Sequence, residues 1–189
     1  AAHANGGPGL KYALKAGVDT IEHGTHLDEG DLEFMREHSV YLCPTLAITE
    51  KLIREGPRYG VVDYMVQAAR DREEERTRSF MNAYRSGVKI AAGTDFGLRP
   101  FTRHGGNAIE LELMVKAGCS PEDAVVAATR NAAEAMGLES KVGTVETGKL
   151  ADLIAVAGDP LERIEALYQV DFVMKEGDIF RSPEGQKVK

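Results

Sequence analysis

Three side chains in this 189-residue sequence share one local setting. His3 stands in Ala-Ala-His-Ala-Asn-Gly, His23 in Ile-Glu-His-Gly and Asp95 in Gly-Thr-Asp-Phe-Gly. Each closes a short β-type run, and glycine follows within a few positions. Imidazole nitrogen and carboxylate oxygen suit zinc, manganese or iron, and catalytic sites of that kind use a few such ligands plus water. Singly the motifs are weak. A histidine at a strand end serves equally well as a hydrogen-bonded structural residue, and Thr-Asp after glycine is an ordinary turn or helix cap. Three such groups at equivalent points of successive units weigh more, because the strand ends of a parallel barrel gather catalytic groups on one face.

The elements that must position these groups alternate. Residues 1–4 read as the stub of a strand, and 18–22, 40–46 (irregular at Pro44) and 88–92 read as strands. Helical spacing of apolar residues covers 8–16, 31–37, 61–84 and 107–117. A further helix opens at Ser120, with Pro121 at its first position and Asp123 completing a capping pattern, and runs to about Met136 before Gly137. The run 70–78, rich in both charge signs, reads as a solvated helix face with i,i+4 pairs. Glu22, alternating with His23, is expected to face the helices. Strand–helix alternation implies right-handed βαβ units and a parallel sheet. A closed (β/α)8 barrel takes about 250 residues. Residues 1–141 are therefore expected to form the second half of a TIM-type barrel, α/β in class. After Gly137 the pattern shifts to short β pieces at 142–148, 153–157, 170–175 and 178–180, with a tight turn at Glu176-Gly177. Residues 142–189 are expected to build a small β-sandwich segment, frayed from Ser182 onward.

Composition narrows the partners. Lys and Arg number 23 against 30 Asp and Glu, a net charge of −7, and the pI is near 5.3. Nucleic acid and anionic membrane surfaces are poor partners for such a chain. No apolar run of membrane-spanning length and no signal peptide is read. Cys43 and Cys119 lie far apart without a CxxC pattern, so neither a disulfide framework nor a structural zinc site is expected. A cytoplasmic setting follows as the default.

The order of the motifs adds a resemblance. His3 in His-Ala-Asn-Gly, Ile21-Glu22-His23-Gly24, Gly93-Thr94-Asp95, His104-Gly105-Gly106-Asn107, Thr129-Arg130-Asn131-Ala132-Ala133 and Gly148-Lys149-Leu150-Ala151-Asp152-Leu153-Ile154 span essentially the whole chain. Together they resemble the C-terminal half of the amidohydrolase superfamily, in the branch of imidazolonepropionase-like enzymes and Xaa-Pro or Xaa-Arg/Lys dipeptidases. That resemblance implies barrel strands five to eight, one or two divalent metal ions, most simply zinc, and a β-sandwich built from both chain ends. His3 and His23 match the strand-five and strand-six metal ligands, and Asp95 the strand-eight ligand and general base. His23 is the alternative group for polarising a substrate carbonyl. The family's His-x-His pair and bridging lysine have no counterpart in these residues.

The expected chemistry is metal-activated hydroxide attacking an amide, peptide or cyclic-amide C–N bond. His104 and Arg103, in the loop after the last barrel strand, are candidates for substrate contact, and Arg99 could join Arg103 in holding a carboxylate. Asp152 is expected to be structural. The expected partners are a small-molecule or short-peptide substrate and either a second copy of the chain, as a homo-oligomer, or the N-terminal half of the same barrel. The alternative is a noncatalytic half-barrel acting through association, since open sheet edges invite pairing.

Overall fold

In the computed structural model, which describes residues 1–183, each early strand runs directly toward a helix. β1 (Ala2–Gly6) leads into α1 (Gly7–Lys15), β2 (Thr20–His26) into α2 (Glu29–Glu37), and β3 (Tyr41–Cys43) into α3 (Leu46–Arg54). A 3₁₀ turn at Gly56–Tyr59 and the long helix α4 (Asp63–Arg85) follow. The strands are parallel in the order β1-β2-β3, and Ile90 adds one parallel bridge to Leu42. The chain is thus α/β.

Register divides the sheet into two faces. Ala2, Ile21 and Leu42 lie in line on the helix side, where they join Leu10, Met35 and Phe80 in the core. His3, Glu22 and Cys43 lie in line on the opposite face. Glu22 therefore does not face the helices. It accepts a hydrogen bond from Thr20 Oγ1 at 2.7 Å, two residues back on its own face. Alternation fails at the next residue because His23 takes a left-handed backbone (φ 75°) and breaks the two-residue period.

Local signals account for the helix starts. Asp28 and Asp31 cap α2 reciprocally, each carboxylate accepting the other's backbone N–H. Ser120 accepts from the Asp123 amide to start α6 (Pro121–Ala128). α5 (Ala108–Ala117) precedes it and buries Leu111 and Met114. In α4, Phe80, Met81 and Ala83 are buried, while Arg78 and Glu74 pair on the solvent side at 3.2 Å.

Several expected boundaries move. The strand at 40–46 shortens to three residues, and α3 begins at Leu46, immediately after Pro44 and a left-handed Thr45 (φ 51°). The strand expected at 88–92 keeps one sheet bridge, because its edge is tied to helices instead. The Ala92 amide donates to the Ala127 carbonyl (2.9 Å) and Asn131 Nδ2 to the Ile90 carbonyl (2.9 Å). Diverting the Ala127 carbonyl in this way breaks the single helix expected from Ser120 to Met136. α7 (Arg130–Ala135) starts afresh beyond Thr129.

The stretch 142–148 is a series of turns rather than a strand. The Val142 amide donates back to the Leu138 carbonyl, and Gly143 (φ 96°) sits where a Cβ would be 2.5 Å from the Ala133 Cβ. β4 (Leu153–Val156), β5 (Val170–Lys175) and β6 (Asp178–Arg181) form an antiparallel sheet. Its tight turn uses left-handed Glu176 and Gly177, as a two-residue hairpin requires. Asp152 Oδ1 accepts the Glu176 amide at 2.7 Å, which is a structural role. The fraying expected from Ser182 falls, from residue 184 on, outside the described residues. Among the described residues no helix is long and apolar enough to cross a membrane.

Candidate active site

β1 and β2 bring two imidazoles together, although neither closes its strand as expected, His3 being second in β1 and His23 midway along β2. The rings of His3 and His23 meet edge to face with centroids 4.4 Å apart. By register His23 is paired with Ala4, a core residue. The left-handed turn through His23 and Gly24 (φ 54°) carries the ring away from that face. Gly24 has to be glycine, since a Cβ there would lie 2.6 Å from Leu42 Cδ1 as well as needing positive φ.

Ser79 of α4 holds this turn. Its hydroxyl donates to the Gly24 carbonyl (2.6 Å) and accepts the Leu27 amide (3.3 Å). Ser79→Ala leaves two polar backbone groups beside a buried side chain without partners. It is expected to cost about 1–3 kcal/mol in a urea-unfolding comparison.

Asp95 follows the segment whose Ile90 bridges Leu42, and its charge is felt at His23. It stands on a left-handed backbone (φ 56°), is exposed, and accepts no hydrogen bond from the described residues. Gly93 makes that placement possible, because a Cβ there would be 2.6 Å from Cys43 Sγ. The electrostatics join the three groups. Burial lowers the His23 pKa, and the charges of His3 and Arg76 lower it further, while Asp95 and Glu22 pull it up. His23 is therefore neutral at pH 7, with a lone pair to offer. Cys43 on the same face is no thiolate, since burial first and the Glu22 carboxylate next push its pKa well up.

Neutral imidazole and free carboxylate suit a divalent cation in donor type. Among the described residues no three of His, Cys, Asp and Glu close around one point. His3, His23 and Asp95 therefore do not by themselves surround a cation in this structure.

Thr45, Arg76 and Glu110 are part of the site and were not singled out from the sequence. His23 Nδ1 and Thr45 Oγ1 are 2.6 Å apart, both buried. The Thr45 carbonyl accepts from Arg76 Nη1 at 3.4 Å. Glu110 of α5, fully buried, accepts the Leu46 amide (2.9 Å) and the Ala47 amide (2.7 Å), so a side chain from elsewhere in the fold caps α3. Burial pushes the Glu110 carboxyl up to about 7, against the two amides and the Arg76 charge, which pull it down.

A folded pKa above the unfolded one means that stability is greatest below the unfolded value, 4.5, and declines as pH rises through 7. The loss of stability on Glu110→Gln is accordingly expected to be larger at pH 5 than at pH 8, measured by urea unfolding at the two pH values.

The loop after Asp95 holds the proposed substrate contacts at its surface. Arg103 is exposed and its Nε donates to the Pro100 carbonyl at 3.3 Å. The exposed His104 ring lies over Gly97, where a Cβ would come within 2.8 Å of Nε2. Neither residue bonds to His3, His23 or Asp95. His26 and His38 sit apart, His26 beside Glu75 (3.6 Å) and His38 on the last turn of α2 with Nδ1 3.0 Å from the Phe34 carbonyl. A concavity of about 800 Å³ borders Thr94 but is walled by apolar groups of α5–α7 and β4, among them Leu111, Val125, Met136 and Leu153. It is a packing groove with few groups for chemistry.

Known proteins share this arrangement of sequence and fold. The model of the Amidohydrolase family matches residues 1–180. Ochratoxinase of Aspergillus niger is 31% identical over 188 residues, which cover 96% of this chain and 38% of that protein. Imidazolonepropionase of Pseudomonas putida is 42% identical over 76 residues, 38% of this chain and 18% of that protein. A crystal structure of a Xaa-Pro dipeptidase with bound methionine in the active site superposes with a TM-score of 0.85 at 39% identity, covering 95% of this chain and 44% of that one. The chain therefore spans about two fifths of the length of the ochratoxinase and the dipeptidase.

Proposed function

Since the chain belongs to the amidohydrolase family, we propose that it forms the second half of a TIM-type barrel and the start of its β-sandwich in a metal-dependent hydrolase of C–N bonds. The reading is supported chiefly by the edge-to-face pair His3–His23 on adjacent parallel strands, with Asp95 in electrostatic reach. His3, His23 and Asp95 are the metal ligands this chain contributes. The remaining ligands come from the N-terminal half of the barrel or from a second copy. His104 and Arg103 lie on the loop that contacts substrate. The Xaa-Pro dipeptidase among the similar structures favours a peptide substrate.

A divalent ion, zinc first, held by His3, His23 and Asp95 with the remaining ligands would supply Lewis acidity, lowering the pKa of water from about 15.7 toward about 7. The chain's own groups do the rest. Asp95 accepts a proton from the attacking water and hands it to the leaving nitrogen, which requires hydrogen-bond reach to both. Burial keeps His23 unprotonated, and Thr45 fixes the ring through Nδ1.

The test is hydrolysis of a panel of Xaa-Pro and Xaa-Arg dipeptides and N-acyl amino acids by the intact protein, with zinc or manganese and after chelation. Turnover lost on chelation and restored by metal is expected. Turnover indifferent to chelation, or none with any substrate, contradicts the proposal.

A further inference from the structure

Thr45 stands where a helix ordinarily caps itself, immediately before Leu46, the first residue of α3. A threonine there takes an extended backbone and accepts an amide of the first turn through its hydroxyl. Thr45 does neither. Its backbone is left-handed (φ 51°, ψ 46°), and its hydroxyl bonds to no amide of α3. For a β-branched residue that conformation is an outlier, which persists only where the surroundings over-determine it.

The surroundings come from three other elements. Glu110 of α5 takes over the cap, Oε1 accepting the Leu46 amide (2.9 Å) and Oε2 the Ala47 amide (2.7 Å). Arg76 of α4 donates through Nη1 to the Thr45 carbonyl (3.4 Å). On β2, His23 Nδ1 lies 2.6 Å from Thr45 Oγ1, with both side chains buried. The Ala47 amide is one of the two that a capping hydroxyl would take. Its capture by Glu110 removes the competitor and leaves the Thr45 hydroxyl to the imidazole.

Resting on the hydrolase reading above, we propose that Glu110 is a positioning residue for the site, capping α3 in place of Thr45 so that the Thr45 hydroxyl accepts the His23 Nδ1 proton. A proton held at Nδ1 leaves the lone pair of the neutral ring on Nε2. A carboxylate that spends both oxygens on helix amides thus sets the tautomer and aim of a histidine it does not touch. Partners of this kind behind a ligating histidine are worth about 10–100-fold in metal affinity.

The experiment reads the His23 ring nitrogens in long-range nitrogen–proton correlation spectra of the intact, metal-free protein, and zinc affinity by calorimetry. It compares the native protein with Thr45→Val, Thr45→Ser, Glu110→Gln and the double variant Thr45→Val with Glu110→Gln. The native ring is expected to be a single tautomer protonated at Nδ1. Thr45→Val keeps the shape without the hydroxyl, and Glu110→Gln keeps one of two acceptor oxygens. Each is expected to give mixed tautomers and to weaken zinc about 10–100-fold. Thr45→Ser, which keeps the hydroxyl, stays near native. The double variant loses no more than the weaker-binding single one, because Glu110 acts through Thr45. A Glu110→Gln protein that unfolds more easily yet keeps the native tautomer and zinc affinity would reduce Glu110 to a cap and overturn the proposal. Zinc losses that multiply in the double variant, or a native ring protonated at Nε2, overturn it as well. Where Glu110→Gln does not fold, Glu110→Asp, with its shorter reach to the amides, carries the same expectations. A native protein that shows the Nδ1 tautomer but binds no zinc sinks the hydrolase reading and leaves the role of Glu110 to be decided by the spectra of the variants.

Discussion

Asp95→Asn is expected to lower kcat for an amide or dipeptide substrate by about 10²–10⁴-fold, the range for loss of a positioned general base. The exchange is close to isosteric. It removes the proposed acceptor for the water proton and the charge felt at His23. Fold stability should hardly change, because Asp95 is exposed and bonds to no described residue. Asparagine also tolerates the left-handed backbone at this position (φ 56°). Steady-state kinetics of the intact protein beside an unfolding curve separates the two effects. A large kcat loss with an unchanged midpoint is predicted. A variant within tenfold of the native kcat would remove Asp95 from the mechanism.

Phe80→Ala should do the opposite, costing about 3–5 kcal/mol of stability with no direct contact to the mouth. Phe80 is 1% exposed, belongs to the core beneath the sheet, and stacks with Tyr84 at 6.3 Å between ring centroids. α4 packs on β2, so this ring helps hold the helix that carries Ser79 and Arg76 against the strand that carries His23. The deleted ring leaves a cavity that neighbours fill only in part. Urea unfolding reads the loss as a lower midpoint at constant slope. A change below about 1 kcal/mol would show that α4 is not anchored at this point.

How much of this could be read from residues alone depends on what kind of interaction decides each feature. β2, α1, α2 and the start at Ser120 follow from nearby spacing and capping groups, and the sequence carries those openly. The helix break at Thr129 does not. It arises because the Ala127 carbonyl serves the Ala92 amide, a pairing across 35 positions that no local pattern announces. His3, His23 and Asp95 stand out because their types are chemical and glycine follows each within a few positions; the expectation that each ends a strand fails, since His3 and His23 lie within β1 and β2.

Carrying the two-residue period through His23 puts Glu22 on the wrong face, because the backbone reverses hand there. Thr45 is short and polar beside Pro44, and its signal is that of any turn. Arg76 was hidden among eight neighbouring residues rich in charge, and a solvated helix face is the ordinary meaning of such a run. Glu110 offered one hint. It falls beside Leu111 and Met114 on the buried side of α5, where a carboxylate needs donors from elsewhere.

The most direct trial of the site is to load the intact protein with zinc and locate the ion by anomalous diffraction at the zinc edge. A peak within ligand distance of both imidazoles, His3 and His23, and of the Asp95 carboxylate is the predicted outcome, at about 2.0–2.2 Å from each coordinating atom. Zinc bound elsewhere with these three side chains uncoordinated would contradict the account at its root.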